Sequence, residues 1–141
     1  MKKKNIIIFF GTRPEIIKLL PLIQLIEKNK NKFNLILCST GQHATLTKNL
    51  INFFNLNINY NLKIMKKNQS LTYLNSKMIS KISQVLIKTK PDIAIVHGDT
   101  TTTFSAALTC FYNKIKIFHI EAGLRTYDLL SPFPEEFNRQ M

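Results

Sequence analysis

Residues 93–123, IAIVHGDTTTTFSAALTCFYNKIKIFHIEAG, decide the fold. An apolar run ending at His97 reads as a strand over 93–97, buried on both faces as in a parallel sheet. Gly98-Asp99-Thr100 reads as a turn, 102–113 as a helix and 115–120 as the next strand. Four consecutive threonines, Thr100 to Thr103, open that helix poorly unless their hydroxyls are wanted. Asp99 stands where a carboxylate caps a helix. Glu121, on the last position of the second strand, needs a cleft or a cation, because a glutamate is seldom buried without one.

The same alternation extends towards the N-terminus. Residues 6–10 are a solid apolar run. Thr12-Arg13-Pro14-Glu15 then has the Thr-x-x-Glu spacing of a capping box, with proline in the first helical turn. Ile16, Leu19, Leu20, Ile23 and Ile26 mark the helix's apolar face. A second strand is expected over 34–39, followed by Gly41-Gln42-His43 and a helix through Leu46, Leu50 and Phe53. The segment 55–69 is irregular, with one short strand near 60–62. Ser70 caps a longer helix carrying Leu71, Leu74, Met78, Ile82, Val85 and Leu86, which ends before Pro91. Beyond Glu121 a loop is expected to residue 133, and Pro134-Glu135-Glu136 opens a final helix whose acids suit its dipole. The whole is an α/β chain, a Rossmann-like doubly wound domain with a mainly parallel sheet over residues 1–141.

The four glycines, Gly11, Gly41, Gly98 and Gly123, each fall one to three residues past an expected strand. In open parallel sheets, ligands bind beyond those carboxyl ends. Arg13 and Lys18 flank a helix start there and suit a phosphate, Lys18 being the more readily read as solvated first-turn charge. A Gly-x-Gly-x-x-Gly fingerprint and a Lys-Ser/Thr phosphate loop are both missing, which removes support for dehydrogenase and ATPase readings. Asp99, Glu121 and Glu135 share the same sheet edge, where neighbouring carboxylates can supply an acid and a base together. A salt bridge from Arg125 is the structural alternative for Glu121.

Composition bounds the rest. The 141 residues are 45% hydrophobic, enough for one domain with a core. No apolar run approaches the roughly 18 residues of a membrane helix, and the basic start Met1-Lys2-Lys3-Lys4 leads into a strand without a cleavage pattern. The net charge is +12, and no acidic residue lies between Lys28 and Pro91. The lysines are scattered and not interleaved with aromatics, so neither a nucleic-acid nor a membrane partner is expected, and a phosphorylated ligand is the simpler anion. Cys38 and Cys110 lack metal-like spacing, and two distant thiols fit a reducing, cytoplasmic setting. The helix opening at 134 has room for two turns, as in a truncated or split product.

Five segments taken together resemble the N-terminal domain of non-hydrolysing UDP-N-acetylglucosamine 2-epimerases. They are Gly11-Thr12-Arg13-Pro14-Glu15-Ile16-Ile17-Lys18, Thr40-Gly41-Gln42-His43, His97-Gly98-Asp99-Thr100-Thr101-Thr102-Thr103, Glu121-Ala122-Gly123-Leu124-Arg125-Thr126 and Ser131-Pro132-Phe133-Pro134-Glu135-Glu136-Phe137-Asn138-Arg139. The resemblance implies a GT-B arrangement of two Rossmann-like domains with the site between them. It implies interconversion of UDP-GlcNAc and UDP-ManNAc, for cell-surface polysaccharide, by elimination of UDP and re-addition through a 2-acetamidoglucal. No cofactor or metal is implied. By position, Asp99, Glu121 and Glu135 become the catalytic carboxylates, and Arg13 and Lys18, with Asp99 and Glu121, contact the nucleotide-sugar. Gln42 and Gln69 match a region where some members bind a second UDP-GlcNAc, although Thr45 and Asn68 depart from the usual partners. Complete enzymes of this kind are homodimers. Their second domain supplies a site histidine and most uridine contacts, so a separately encoded C-terminal half is an expected partner and this polypeptide alone is expected to be inactive. A GT-B glycosyltransferase and a non-functional or purely binding fragment are the rival readings.

Overall fold

A computed structural model describes residues 2–41, 44–66 and 68–141. Five strands and five helices follow one another: β1 (Lys4–Phe10), α1 (Arg13–Lys28), β2 (Phe33–Ser39), α2 (Ala44–Phe53), β3 (Tyr60–Asn61), α3 (Leu71–Thr89), β4 (Ile93–His97), α4 (Thr101–Tyr112), β5 (Lys116–Ile120) and α5 (Glu135–Gln140). The sheet order is β3-β2-β1-β4-β5, with every pairing parallel. This is the Rossmann-like order. The chain winds outward from β1 through β2 and β3, and α3 then carries it back to β4 on the other side of β1. That reversal leaves a crevice beyond the ends of β1 and β4.

The period of two in β1 divides the core. Ile7 and Phe9 join one apolar cluster with Leu74, Met78 and Ile82 of α3 and Ala106 of α4. Ile6, Ile8 and Phe10 point the other way, onto Ile16, Leu19, Ile23 and Ile26 of α1. A strand flanked on both sides and covered on both faces must be apolar at every position, and Ile7 to Phe10 are all at most 1% exposed. α1 and α3 each have one buried stripe at the spacing their sequences predict. Pro21 sits inside α1 but on its exposed side, where water can serve the carbonyl that lost its donor.

Several boundaries differ from expectation by a residue or two. The cap of α4 is Thr100 and not Asp99: its hydroxyl accepts from Thr103 N at 3.2 Å. β5 ends at Ile120, so Glu121 stands in the following turn with φ 57°, a left-handed conformation uncommon outside glycine. Glu121 is therefore exposed and not a buried strand residue.

Glu15 has a larger part than a cap. It is 2% exposed. One carboxylate oxygen accepts from Gly11 N (2.9 Å), Thr12 N (2.7 Å) and the Thr12 hydroxyl (2.7 Å). The other accepts from the Thr100 hydroxyl at 2.8 Å. One buried side chain thus joins the β1–α1 turn to the β4–α4 turn across the crevice. Replacing it leaves buried donors unpaired, which costs about 1–3 kcal/mol. Glu15→Ala is expected to lower the urea-denaturation stability by that amount, while Gln24→Ala, on the exposed side of α1, stays within about 0.5 kcal/mol of the parent.

Candidate active site

The crevice holds a cavity of about 500 Å3 whose walls include Arg13 and Lys18 from α1, His97 and Asp99 from the end of β4, and Glu121 from the turn after β5. Sequence reasoning had placed four of these five residues there. Thr12 and Thr100, the two threonines bonded to Glu15, line it as well.

Lys18, which its spacing alone would leave in solvent, grips Glu121 with Nζ 2.6 and 2.8 Å from the two carboxylate oxygens. Arg125 does not fill that role; its guanidinium donates to the carbonyls of Ala122 and Leu124. Behind the bridge lies His97, with a side chain only 5% exposed and Nε2 3.4 Å from the same Glu121 oxygen. The hydrogen bond from Lys18 holds the Glu121 carboxyl below the usual range against the opposing effect of burial, with further help from His97 and from the charges of Lys18 and Arg139. Glu121 is thus an ionised group at neutral pH, fitted to accept a proton or to stabilise developing positive charge.

Asp99 is fixed from a distant part of the chain. Its carboxylate pairs with Arg139 of α5, whose side chain is 4% exposed, and its carbonyl accepts from Asn138 Nδ2 at 2.9 Å. Gly98 has φ +70° and open space where a Cβ would stand, so conformation and not crowding demands glycine there. The turn is locked from β5: Gly98 N donates to Ile120 O at 2.9 Å, and His119 Nε2–H donates to Gly98 O at 2.6 Å. Thr102 and Thr103 are also joinery. Their hydroxyls bond the Thr40 hydroxyl (2.8 Å) and the His97 carbonyl (2.5 Å), which accounts for these two threonines without a ligand.

Glu135 lies in an adjoining cavity of about 460 Å3, together with Gln69. The two cavities share Thr12, Asp99 and Thr100. Asp99 therefore faces both Glu121 and Glu135, but those two acids do not line a common cavity. Gln69 donates to Met65 Sδ at 2.9 Å and leaves its carbonyl oxygen buried without a partner. Gln42 lies outside the described residues. Glu136 is structural: fully buried, it accepts from Gln140 Nε2, Thr126 N and Tyr127 N, and these bonds, the first foremost, hold its carboxyl low.

His97 and Arg139 are the residues that motif reading left without a role, and it gave Glu15 only that of a cap. The signal for His97 was its place on the last position of a buried strand. For Arg139 no local signal exists, since its partner is 40 residues away.

A larger cavity of about 900 Å3 lies beyond β2 and β3. It carries Lys48, Lys63 and Lys66 but no carboxylate among its described lining residues, in contrast to the crevice. Among the described residues no three His, Cys, Asp or Glu side chains gather as a metal set, and no helix is long and apolar enough to cross a membrane. Cys38 and Cys110 are buried thiols, both pushed up to about 12 by burial, and take no part.

The family profile described as UDP-N-acetylglucosamine 2-epimerase matches residues 26–141. The UDP-N-acetylglucosamine 2-epimerase of Campylobacter jejuni is 49% identical over 98% of this chain and 36% of its own. The crystal structure of the Neisseria meningitidis UDP-GlcNAc 2-epimerase bound to UDP-GlcNAc superposes with a TM-score of 0.92 at 48% identity, over 96% of this chain and 36% of that one. The Methanocaldococcus jannaschii UDP-GlcNAc 2-epimerase, in complex with UDP-GlcNAc and UDP, gives 0.88 at 40% identity, over 96% and 37%. This chain spans about a third of the length of these relatives. With most of its residues matched by the family profile and nearly all of them by close relatives, the chain belongs to the UDP-N-acetylglucosamine 2-epimerase family.

Proposed function

We propose that this chain is the acid–base domain of a non-hydrolysing UDP-GlcNAc 2-epimerase and that the β1–β4 crevice receives the nucleotide-sugar. The observation that carries the reading is the ionised Glu121, gripped by Lys18 and facing a cavity that it shares with Asp99 and Arg13. C2 epimerisation needs a base at C2 and stabilisation of positive character at C1 as the bond to UDP breaks. The proton leaves C2 and UDP leaves C1, which gives a 2-acetamidoglucal. UDP then adds back at C1 while a proton returns to the other face of C2, so UDP-ManNAc forms with nothing gained or lost.

In this scheme Asp99, Glu121 and Glu135 are the proton-handling and charge-stabilising groups. Asp99 is central because it borders both cavities. Arg13, which has no ion-pair partner among the described residues, and the start of α1 receive the diphosphate, and Lys18 couples that anion to Glu121. Gln69, which shares a cavity with Glu135, belongs to a second nucleotide-sugar subsite, to which Gln42 is assigned by sequence position alone. The active assembly is a cytoplasmic, GT-B homodimer that includes a second domain, and it supplies ManNAc for cell-surface polysaccharide. The isolated chain forms no UDP-ManNAc; clear turnover of UDP-GlcNAc by the chain alone would contradict this.

UDP at millimolar concentration is expected to shift the backbone amide resonances of residues 11–13 and 98–100. Arg13→Ala is expected to weaken that binding by about tenfold, the loss of one charge-assisted contact. Shifts confined to Lys48, Lys63 and Lys66 would move the nucleotide site to the other cavity. The Glu121 carboxyl should titrate below its ordinary value of 4.5. Since its pKa is depressed in the folded chain, the stabilisation from its bridge is present above about pH 4.5 and is lost as pH falls through the folded value. Lys18→Ala is expected to move the Glu121 carboxyl carbon titration upward; an unchanged midpoint would show that the bridge does not form in solution.

A further inference from the structure

His97 is a buried titratable group that the proposed reaction leaves unused. It closes β4 with a side chain 5% exposed, and it lines the crevice. A buried imidazole is costly unless its nitrogens find partners. Here Nε2 stands 3.4 Å from one Glu121 oxygen, Oε2, about half an ångström beyond an ordinary N–H···O bond. The ring is near enough to take that oxygen but does not hold it, because Lys18 does.

The two neighbours of Glu121 differ in kind. Lys18 engages both carboxylate oxygens, with Nζ 2.6 Å from Oε2 and 2.8 Å from Oε1. The side chains of this pair are 50% and 41% exposed, so water screens the bridge and it is weakly held. The Lys18 ammonium also rides on a flexible stem. His97 is the reverse: buried, fixed on a strand and near Oε2 alone. A ligand decides between them. A diphosphate seated on Arg13 and the first turn of α1 carries more charge than one exposed carboxylate and competes with it for Lys18. The other charged groups around the ring are engaged. Asp99 is held by Arg139 of α5, Glu15 by the turns after β1 and β4, and His119 of β5 bonds the Gly98 carbonyl.

We propose that His97 is a positioning residue for Glu121, and that the ligand drives an exchange: the diphosphate draws Lys18 off the carboxylate, and Glu121 turns onto the Nε2–H of His97. The proposal rests on the nucleotide-sugar reading of the crevice. No covalent bond is made or broken in the exchange, and the proton on Nε2 stays there as a donor. A carboxylate with an ammonium on both oxygens is a poor base. Once Oε2 is held by His97 and Lys18 has left, Oε1 is unengaged while the orientation of the group is kept. Glu121 thus becomes an effective base only when the leaving group is in place.

The test is NMR of the full chain with UDP as the probe, following the Glu121 carboxyl carbon and the His97 ring nitrogens. Saturating UDP is expected to raise the Glu121 titration midpoint by about one pH unit and to shift the Nε2 resonance of His97. In Lys18→Ala, where the bridge is already gone, the rise on adding UDP is expected to be smaller. His97→Leu is expected to alter the Glu121 midpoint more in the UDP complex than in the free chain and to weaken UDP binding about fivefold, while His97→Gln, which keeps an N–H donor, restores both. The parent and Lys18→Ala measurements decide the matter even where a His97 variant fails to fold. An unmoved His97 Nε2 resonance, in a chain whose residues 11–13 respond to UDP, would overturn the exchange and leave the nucleotide-sugar reading standing. A rise in Lys18→Ala as large as the parent's would do the same, because the charge of the ligand alone would then account for it. Silence of residues 11–13 and 98–100 towards UDP would remove that reading and the exchange with it.

Discussion

The site depends on one buried carboxylate. Glu15 accepts from four donors on two turns, one of them, Thr100, 85 residues away in sequence, so the spacing between the α1 cations and Asp99 is set by hydrogen bonds and not by loop length. The sheet brings β1 and β4 together through apolar packing, which is strong but not directional. The directional part comes from Glu15, with Thr40, just after β2, bonded to Thr102 and His119 of β5 bonded to Gly98 fixing the same region. A hydroxyl or carboxylate at each junction explains why polar residues are buried at this end of the sheet and apolar ones elsewhere.

On this frame the chemistry is divided between near and distant parts of the chain. Glu121 depends on Lys18, 103 residues before it, and Asp99 depends on Arg139, 40 residues after it. Each acid thus has its own cation, and the two carboxylates can stand in one cavity without strong mutual repulsion. Among the described residues lining the crevice, Arg13 is the cation without an ion-pair partner. The proposed reading gives these groups a substrate class that fits them, a sugar bearing a diphosphate.

The layers of the fold were legible because burial writes itself into local patterns. β1, β2 and β4 are apolar runs because both faces are covered, and the stripe Leu74, Met78, Ile82, Val85 repeats with the helical turn. β3 is only two residues long, too short for periodicity to define its ends. The choice between Asp99 and Thr100 as cap was not decidable locally, since both side chains cap well and they are adjacent. The turn at Glu121 was missed because a left-handed glutamate has no sequence signature. Which side chains share the crevice followed from the glycine-bearing turns. Which cation holds which acid did not, because that depends on tertiary approach across 40 to 103 residues.

The central claim is that the crevice between β1 and β4 holds the reacting sugar. A crystal structure of the chain with UDP-GlcNAc tests it most directly. The account predicts the diphosphate at Arg13 and the start of α1, with C2 of the sugar within proton-transfer reach of the Asp99 or Glu121 carboxylate. Nucleotide-sugar bound in the lysine-lined cavity beyond β2 and β3, with the crevice holding only solvent, would contradict it.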